Sequence, residues 1–378
     1  MSGRERANQI IRGVHRMFSN SNFSNRLPKS YCYLLGIILC VVATPVLPCS
    51  RVVYRGPDGA VVVGRTMDWA QSLEVNLWAF PAGLERDGNA GARSLKWTSK
   101  YGSVAATCYD TLVADGMNEK GLVVNVLYLS SSIYPKFDGT RPTLSIGAWA
   151  QYVLDTFATV DEAVTVLKDE PFQLGALIMP GGHAGTAHVS ISDATGDSAI
   201  FEYIDGKLVV HHGKQYSVMT NDPPYDQQLA LNGYWQEVGG SIMLPGTERP
   251  ADRFVRASCY LSEALQTPDE RKQIATVFSI VRNVSVPIGA EHAGQPNVAA
   301  TLWRIVADQK RRTYYFELTD TPNVFWVDLS KLDLSVGQPM RMLPVEGASV
   351  MAGDVSSRFE KQTDFEFMVG SDPGDAHK

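Results

Sequence analysis

The apolar positions of this 378-residue chain change period several times, and the changes divide it. The first apolar run is Tyr31–Ala43 (YCYLLGIILCVVA), preceded by a basic, acid-poor segment closing at Lys29. It is well short of the roughly 20 residues that span a bilayer. It predicts the core of a secretory signal, with an uncleaved membrane anchor as the competing reading. After it the pattern becomes strand-like. Residues 50–55 and 60–67 are β-branched runs around Gly56-Pro57-Asp58-Gly59, a turn signal. Val123–Leu129 continues the strand pattern. Helical periodicity marks 145–157 and 159–168, the second opened by a capping box of Thr159 and Glu162. Strands are expected at 187–193, 198–203, 207–211 and 216–220. Helices are expected at 250–265 and 268–283, the latter boxed by Thr267 and Glu270. Strands return near 299–308, 312–318 and 323–327, and the chain after about 368 reads as a disordered tail.

Elements grouped β, α, β, α, β predict an α+β layered fold, not alternating βαβ units. The expected organisation is a leader over 1–48, one domain over 49–368 and a tail over 369–378. The leader starts at Met1 or at Met17, which would give it ordinary length. Cleavage after Ala43 would leave Thr44–Pro48 as a short propeptide, to be removed in a second step that exposes Cys49.

Composition narrows the function. The chain is 44% hydrophobic and 20% charged, with a net charge of −6. Residues 1–48 hold six basic residues and one acid, so the remainder has 28 basic against 39 acidic residues, a net charge of −11. An acidic body argues against nucleic acid as a partner. No zinc-type Cys/His spacing, GxGxxG, P-loop, HExxH or GxSxG motif occurs, so neither a metal nor a nucleotide cofactor is expected. Of the five cysteines, Cys32 and Cys40 fall in the leader, leaving Cys49, Cys108 and Cys259. An odd number is no disulfide framework, and at least one thiol needs another reason.

Cys49 stands directly before the first hairpin. With the turn centred between Pro57 and Asp58, partner numbers sum to about 115, and Cys49 faces residue 66. The hairpin alone therefore brings Arg65 and Asp68 beside the thiol. A nearby cation lowers a thiol pKa. If the chain is cut before Cys49, the new α-amine can act as base for its own side chain, held by Asp68. The competing reading is a surface ion pair beside a small apolar residue. Met67 and Trp69 flank Asp68 and suit either an apolar pocket or ordinary core.

CSRVVYRGPDGAVVVGRTMDW (49–69) resembles the start of the mature choloylglycine hydrolase family, which includes bile salt hydrolases and penicillin V acylases. ADGMNEKGLVVNVLYL (114–129), HVSISDATGDSAIFEYIDGKLVVHHGKQYSVMTNDPPYDQQL (188–229), LPGTERPADRFVRASCYL (244–261) and TLWRIVADQKRRTYYFEL (301–318) are similar to later family segments, in order. The resemblance implies an N-terminal nucleophile hydrolase with a four-layer αββα sandwich, hydrolysing linear, non-peptide amides without a cofactor. It implies catalytic roles for Cys49, Arg65, Asp68, Asn221 (oxyanion) and Arg253 (charge balance), and a homotetramer. Tyr128 stands where penicillin V acylases carry tyrosine and bile salt hydrolases asparagine, which favours aromatic or acyl side chains on a small-molecule amide substrate. Exported members also cleave N-acyl homoserine lactones. A reading from a different class is a lipid-anchored binding protein acylated at Cys49, although Pro48 is poorly placed for such a signal. His188, His211 and His212 are expected to be structural or exposed, and Glu119 and Lys120 to sit in a turn. Cys108 and Cys259 are expected to be buried thiols, with a bridge between them as the alternative.

Overall fold

The computed structural model describes residues 49–179, 184–239, 242–289 and 299–371, all within the compact unit Thr44–Lys378. The expected leader, its start and its cleavage points lie outside the described residues, as does the chain beyond Ser371.

Two sheets form the centre. The β-branched runs pair as β1 (Cys49–Arg55) and β2 (Val61–Asp68), near one edge of a seven-stranded sheet. On one side of them lies Val218–Thr220; on the other, Thr301–Asp308, Thr313–Leu318, Phe325–Asp328 and Gly353–Asp354 follow in turn. The second sheet has nine strands, running from Lys207–His212 through Ser198–Ile204, Ala187–Ser192, Val123–Tyr128, Leu112–Asn118, Ser103–Cys108, Asn76–Phe80 and Arg341–Pro344 to Glu360–Lys361. The helices Pro250–Ser262 and Glu270–Asn283 cover the outer face of the first sheet, and Ile146–Thr156 packs on the second. The expected αββα sandwich is therefore the fold. β1 and β2 are buried on both faces, which is why their burial does not alternate.

The predicted helices and strands appear close to their expected bounds. Thr159 caps its helix, accepting from the Glu162 amide at 3.2 Å. The other predicted box is corrected: Asp269, not Thr267, caps Glu270–Asn283, accepting from Lys272 N at 3.2 Å. Thr267 Oγ1 instead accepts from Asp269 N, two residues upstream of the cap. Strands Asn76–Phe80, Ser103–Cys108 and Leu112–Asn118 and the helix Tyr225–Val238 were not anticipated. Ser371 makes an isolated bridge with Ala176, so pairing continues past residue 368. Among the described residues no helix is long and apolar enough to cross a membrane.

Candidate active site

The hairpin sets the site. Its turn carries Asp58 and Gly59 at φ 57° and 70°, conformations that Asp tolerates and Gly adopts freely. The turn is thus centred on Asp58 itself, and partner numbers sum to 116 (Cys49 faces Met67, Ser50 faces Thr66 and Arg51 faces Arg65). The register is one residue from the expected one. Alternation then divides the residues between faces. Cys49, Arg51, Arg65 and Met67 point toward the second sheet, while Ser50, Thr66 and Asp68 point toward the helix Pro250–Ser262.

On the inner face Cys49 is 2% exposed. Its Sγ lies 4.0 Å from Arg65 Nη2 and 3.9 Å from both Met67 Sδ and the Asp68 carbonyl. Arg65 Nη2 donates to Val126 O at 2.9 Å, and its guanidinium lies 4.4 Å from the Trp303 ring centre. Burial pushes the Cys49 thiol up, and Arg65 is the strongest influence opposing that. A cleft of about 530 Å³, counting its open mouth, runs from the thiol and is almost wholly apolar. The anticipated Met67, Trp69 and Tyr128 all line it, with Leu177 and Met179. Trp69 meets Tyr128 edge-on at 5.9 Å.

On the outer face, Arg253 Nη1 donates to Ser50 Oγ at 2.6 Å and to Asp68 Oδ2 at 3.2 Å. Thr301 Oγ1 donates to Asp68 Oδ1 at 2.5 Å. Burial pushes the Asp68 carboxyl up to about 6 despite these partners, Arg253 being the strongest of them. The two faces meet at Asn221, one residue past the strand that pairs Thr220 with Ser50. Cys49 N donates to Asn221 Oδ1, which also accepts from Arg253 Nη2 at 3.4 Å. Asn221 Nδ2 donates to Tyr128 O at 2.6 Å. The Cys49 nitrogen is thus held by Asn221, and Asp68 acts on it through Arg253, a step more remote than the hairpin suggested.

Sequence reasoning missed one support and the place of one expected buried thiol. Gln228, on the unanticipated helix, donates from Nε2 to Asn221 O and to Pro223 O (2.6 Å), clamping the Asn221 segment. Cys108 is a free, buried thiol in the cleft wall, pushed up to about 12 by burial. No signal in the chain tied either to Cys49. Cys259 is also free, so the two form no bridge, and it is half-buried on its helix surface instead of buried as expected. The histidines are structural. His188 Nδ1 lies 2.8 Å from Glu202 Oε1, and Glu202 Oε2 accepts from Tyr225 N; His212 pairs with Asp197. Glu119 and Lys120 occupy the turn after Leu112–Asn118.

Residues 49–342 match the profile of the linear amide C–N hydrolases, choloylglycine hydrolase family. A penicillin V acylase of Pectobacterium atrosepticum is 46% identical over 91% of this chain and 98% of its own. A bile salt hydrolase/transferase of Clostridium perfringens is 25% identical over 76% and 94%. The solved structure of penicillin V acylase from Agrobacterium tumefaciens superposes with a TM-score of 0.80 at 51% identity, covering 85% of this chain and all of the other.

Proposed function

Because the chain belongs to the choloylglycine hydrolase family of linear amide C–N hydrolases, we propose that it is an exported penicillin V acylase-like amidase, cut immediately before Cys49. Pro48 precedes Cys49, so the Cys49 nitrogen is a peptide amide until that cut frees it. Cys49 Sγ attacks the substrate carbonyl carbon, and the freed α-amine takes the thiol proton and passes it to the departing amine. Water then hydrolyses the acyl thioester, with the same amine taking its proton. Arg65 favours the thiolate. Asn221, which holds the Cys49 nitrogen through Oδ1, serves the developing oxyanion through Nδ2. Arg253 and Asp68 orient Asn221 and balance charge. The acyl group, aromatic or alkyl, lies against Met67, Trp69 and Tyr128.

One observation carries the reading: the Cys49 thiol lines an apolar cleft while its own backbone nitrogen is gripped by Asn221. The apolar lining of the cleft also suits a long-chain N-acyl homoserine lactone as a second substrate. The test is N-terminal sequencing of the purified enzyme, with hydrolysis of penicillin V, glycocholate and a long-chain acyl-homoserine lactone by wild type and Cys49→Ala. The expected results are a mature chain starting at Cys49, penicillin V cleaved faster than glycocholate, and no hydrolysis by the variant. An active Cys49→Ala protein overturns the mechanism. Export to the periplasm or medium is checked by fractionation, and a homotetramer by light scattering.

A further inference from the structure

Arg65 is only partly accounted for by its contacts near Cys49. Its Nε and Nη1 are buried without a hydrogen-bond partner. Its direct cross-strand neighbour is a second fully buried arginine, Arg51. Arg51 spends its hydrogen bonds on neutral groups, namely Tyr216 O, Ile191 O and Ser198 Oγ. Two guanidinium charges buried from facing strand positions need a counter-charge, and an unbalanced one is strongly destabilising.

Asp115 is placed to supply it. It is fully buried on the strand Leu112–Asn118, at a β-bulge. Ala106 pairs with Asp115 and Thr107 with Val113, leaving Ala114 as the extra residue. Bulges re-aim side chains, commonly beside active sites. Here Ala114 stays in the cleft wall, while Asp115 enters the gap between the sheets. Two neutral donors hold its carboxylate. Asn125, its cross-strand partner, donates to Oδ2 at 2.6 Å. Tyr314, from the opposite sheet, donates to Oδ1 at 2.7 Å. Arg65 is the strongest influence favouring the ionised form of Asp115, and Asp115 acts in turn on Arg51.

We propose that Asp115, clamped by Tyr314 and Asn125, is a positioning residue: its carboxylate balances the Arg51–Arg65 pair and keeps Arg65 Nη2 on Val126 O, beside Cys49 Sγ. The inference rests on Cys49 being the nucleophile. Without the carboxylate Arg65 loses its counter-charge and, with one hydrogen bond to an oxygen against three for Arg51, withdraws from the thiol. The charged and titratable groups facing Asp115 are Arg51 and Arg65 from the hairpin and Tyr314 from Thr313–Leu318. Burial pushes the carboxyl up to about 6, so it is neutral in acid and the arrangement is lost there. Tyr314 opposes that rise, because a donor favours the ionised form.

The experiment uses mature enzyme and the variants Asp115→Asn and Tyr314→Phe, with iodoacetamide as the thiol probe. In Asp115→Asn, kcat is expected to fall about tenfold or more while KM stays within about threefold. Alkylation of Cys49 at pH 8 slows about tenfold, because only the thiolate reacts. Tyr314→Phe keeps its alkylation rate at pH 8, but the acid limb of kcat/KM moves up by about half a pH unit or more. A folded Asp115→Asn protein with unchanged alkylation overturns the inference, leaving Asp115 a structural residue. Faster alkylation also overturns it, since Asp115 would then act only as a nearby negative charge on a stationary Arg65. If Asp115→Asn does not fold, an unmoved acid limb in Tyr314→Phe is decisive against the proposal. Hydrolysis surviving complete alkylation of Cys49 instead sinks the nucleophile reading, a result independent of either variant.

Discussion

Arg253→Met tests whether Asp68 is ionised inside the folded protein, and the structure sets the size of the effect. Burial holds the Asp68 carboxyl near 6 with Arg253 present, against an ordinary value of about 3.9. A carboxyl whose folded pKa lies above its unfolded one opposes stability as pH rises between the two values. In that window the native state keeps a proton that the unfolded chain has lost. Above about pH 6 Asp68 is ionised in both states and its cost levels off near 3 kcal/mol. Removing Arg253 removes the strongest influence favouring the anion, so the carboxyl rises further. The cost then keeps growing by about 1.4 kcal/mol per pH unit above pH 6, until the new pKa is passed. At pH 5 Asp68 is mostly neutral in both proteins. The variant there lacks chiefly the Arg253 bonds to Ser50 Oγ and Glu248 O, together about 1–3 kcal/mol. Urea unfolding of wild type and variant at pH 5, 6, 7 and 8 measures the gap directly. The gap should widen with pH above 6. A gap that stays constant across this range refutes an ionised Asp68 paired to Arg253, and a narrowing one reverses the sign of the argument.

Asn221→Ala removes the proposed oxyanion donor and the acceptor of Cys49 N; kcat should drop roughly 10²–10³-fold with little change in KM, as steady-state kinetics will show. Gly64→Ala puts a Cβ 2.6 Å and 2.7 Å from methyls of Val277 and Val281, pressing β2 against the helix Glu270–Asn283. It should cost about 1–3 kcal/mol, and a calorimetric melting temperature equal to wild type contradicts that packing. In folded protein at pH 8, N-ethylmaleimide should label the half-buried Cys259 and spare Cys108 until urea is added; peptide mapping that finds both labelled together counts against the buried thiol.

The parts of the site within one hairpin could be read from the chain because strand alternation and turn geometry are local. Arg65 was placed near Cys49 with a one-residue slip, and that slip came from Asp58 adopting a left-handed conformation. The capping choice between Thr267 and Asp269 was ambiguous, since both are good caps and the winner depends on how the chain enters the helix. Leu112–Asn118 and Ser103–Cys108 escaped notice because, buried on both faces and bulged at Ala114, they show no alternation. Tyr225–Val238 has few buried positions and no clean apolar stripe. Family resemblance located Asn221 and Arg253 but not what they touch.

Sequence alone determined the leading hairpin, the thiol at its start and the helices and strands with strong local period, because those follow from hydrogen bonding and side-chain alternation between near neighbours. Tertiary structure alone decided that Asn221, 172 residues away, holds the Cys49 nitrogen, and that Arg253 couples it to Asp68. It also decided that Tyr314 reaches across to Asp115 behind Arg65. Those contacts exist only once two sheets stack and helices close on them, and stacking is fixed by burial summed over the whole chain, which no local stretch encodes.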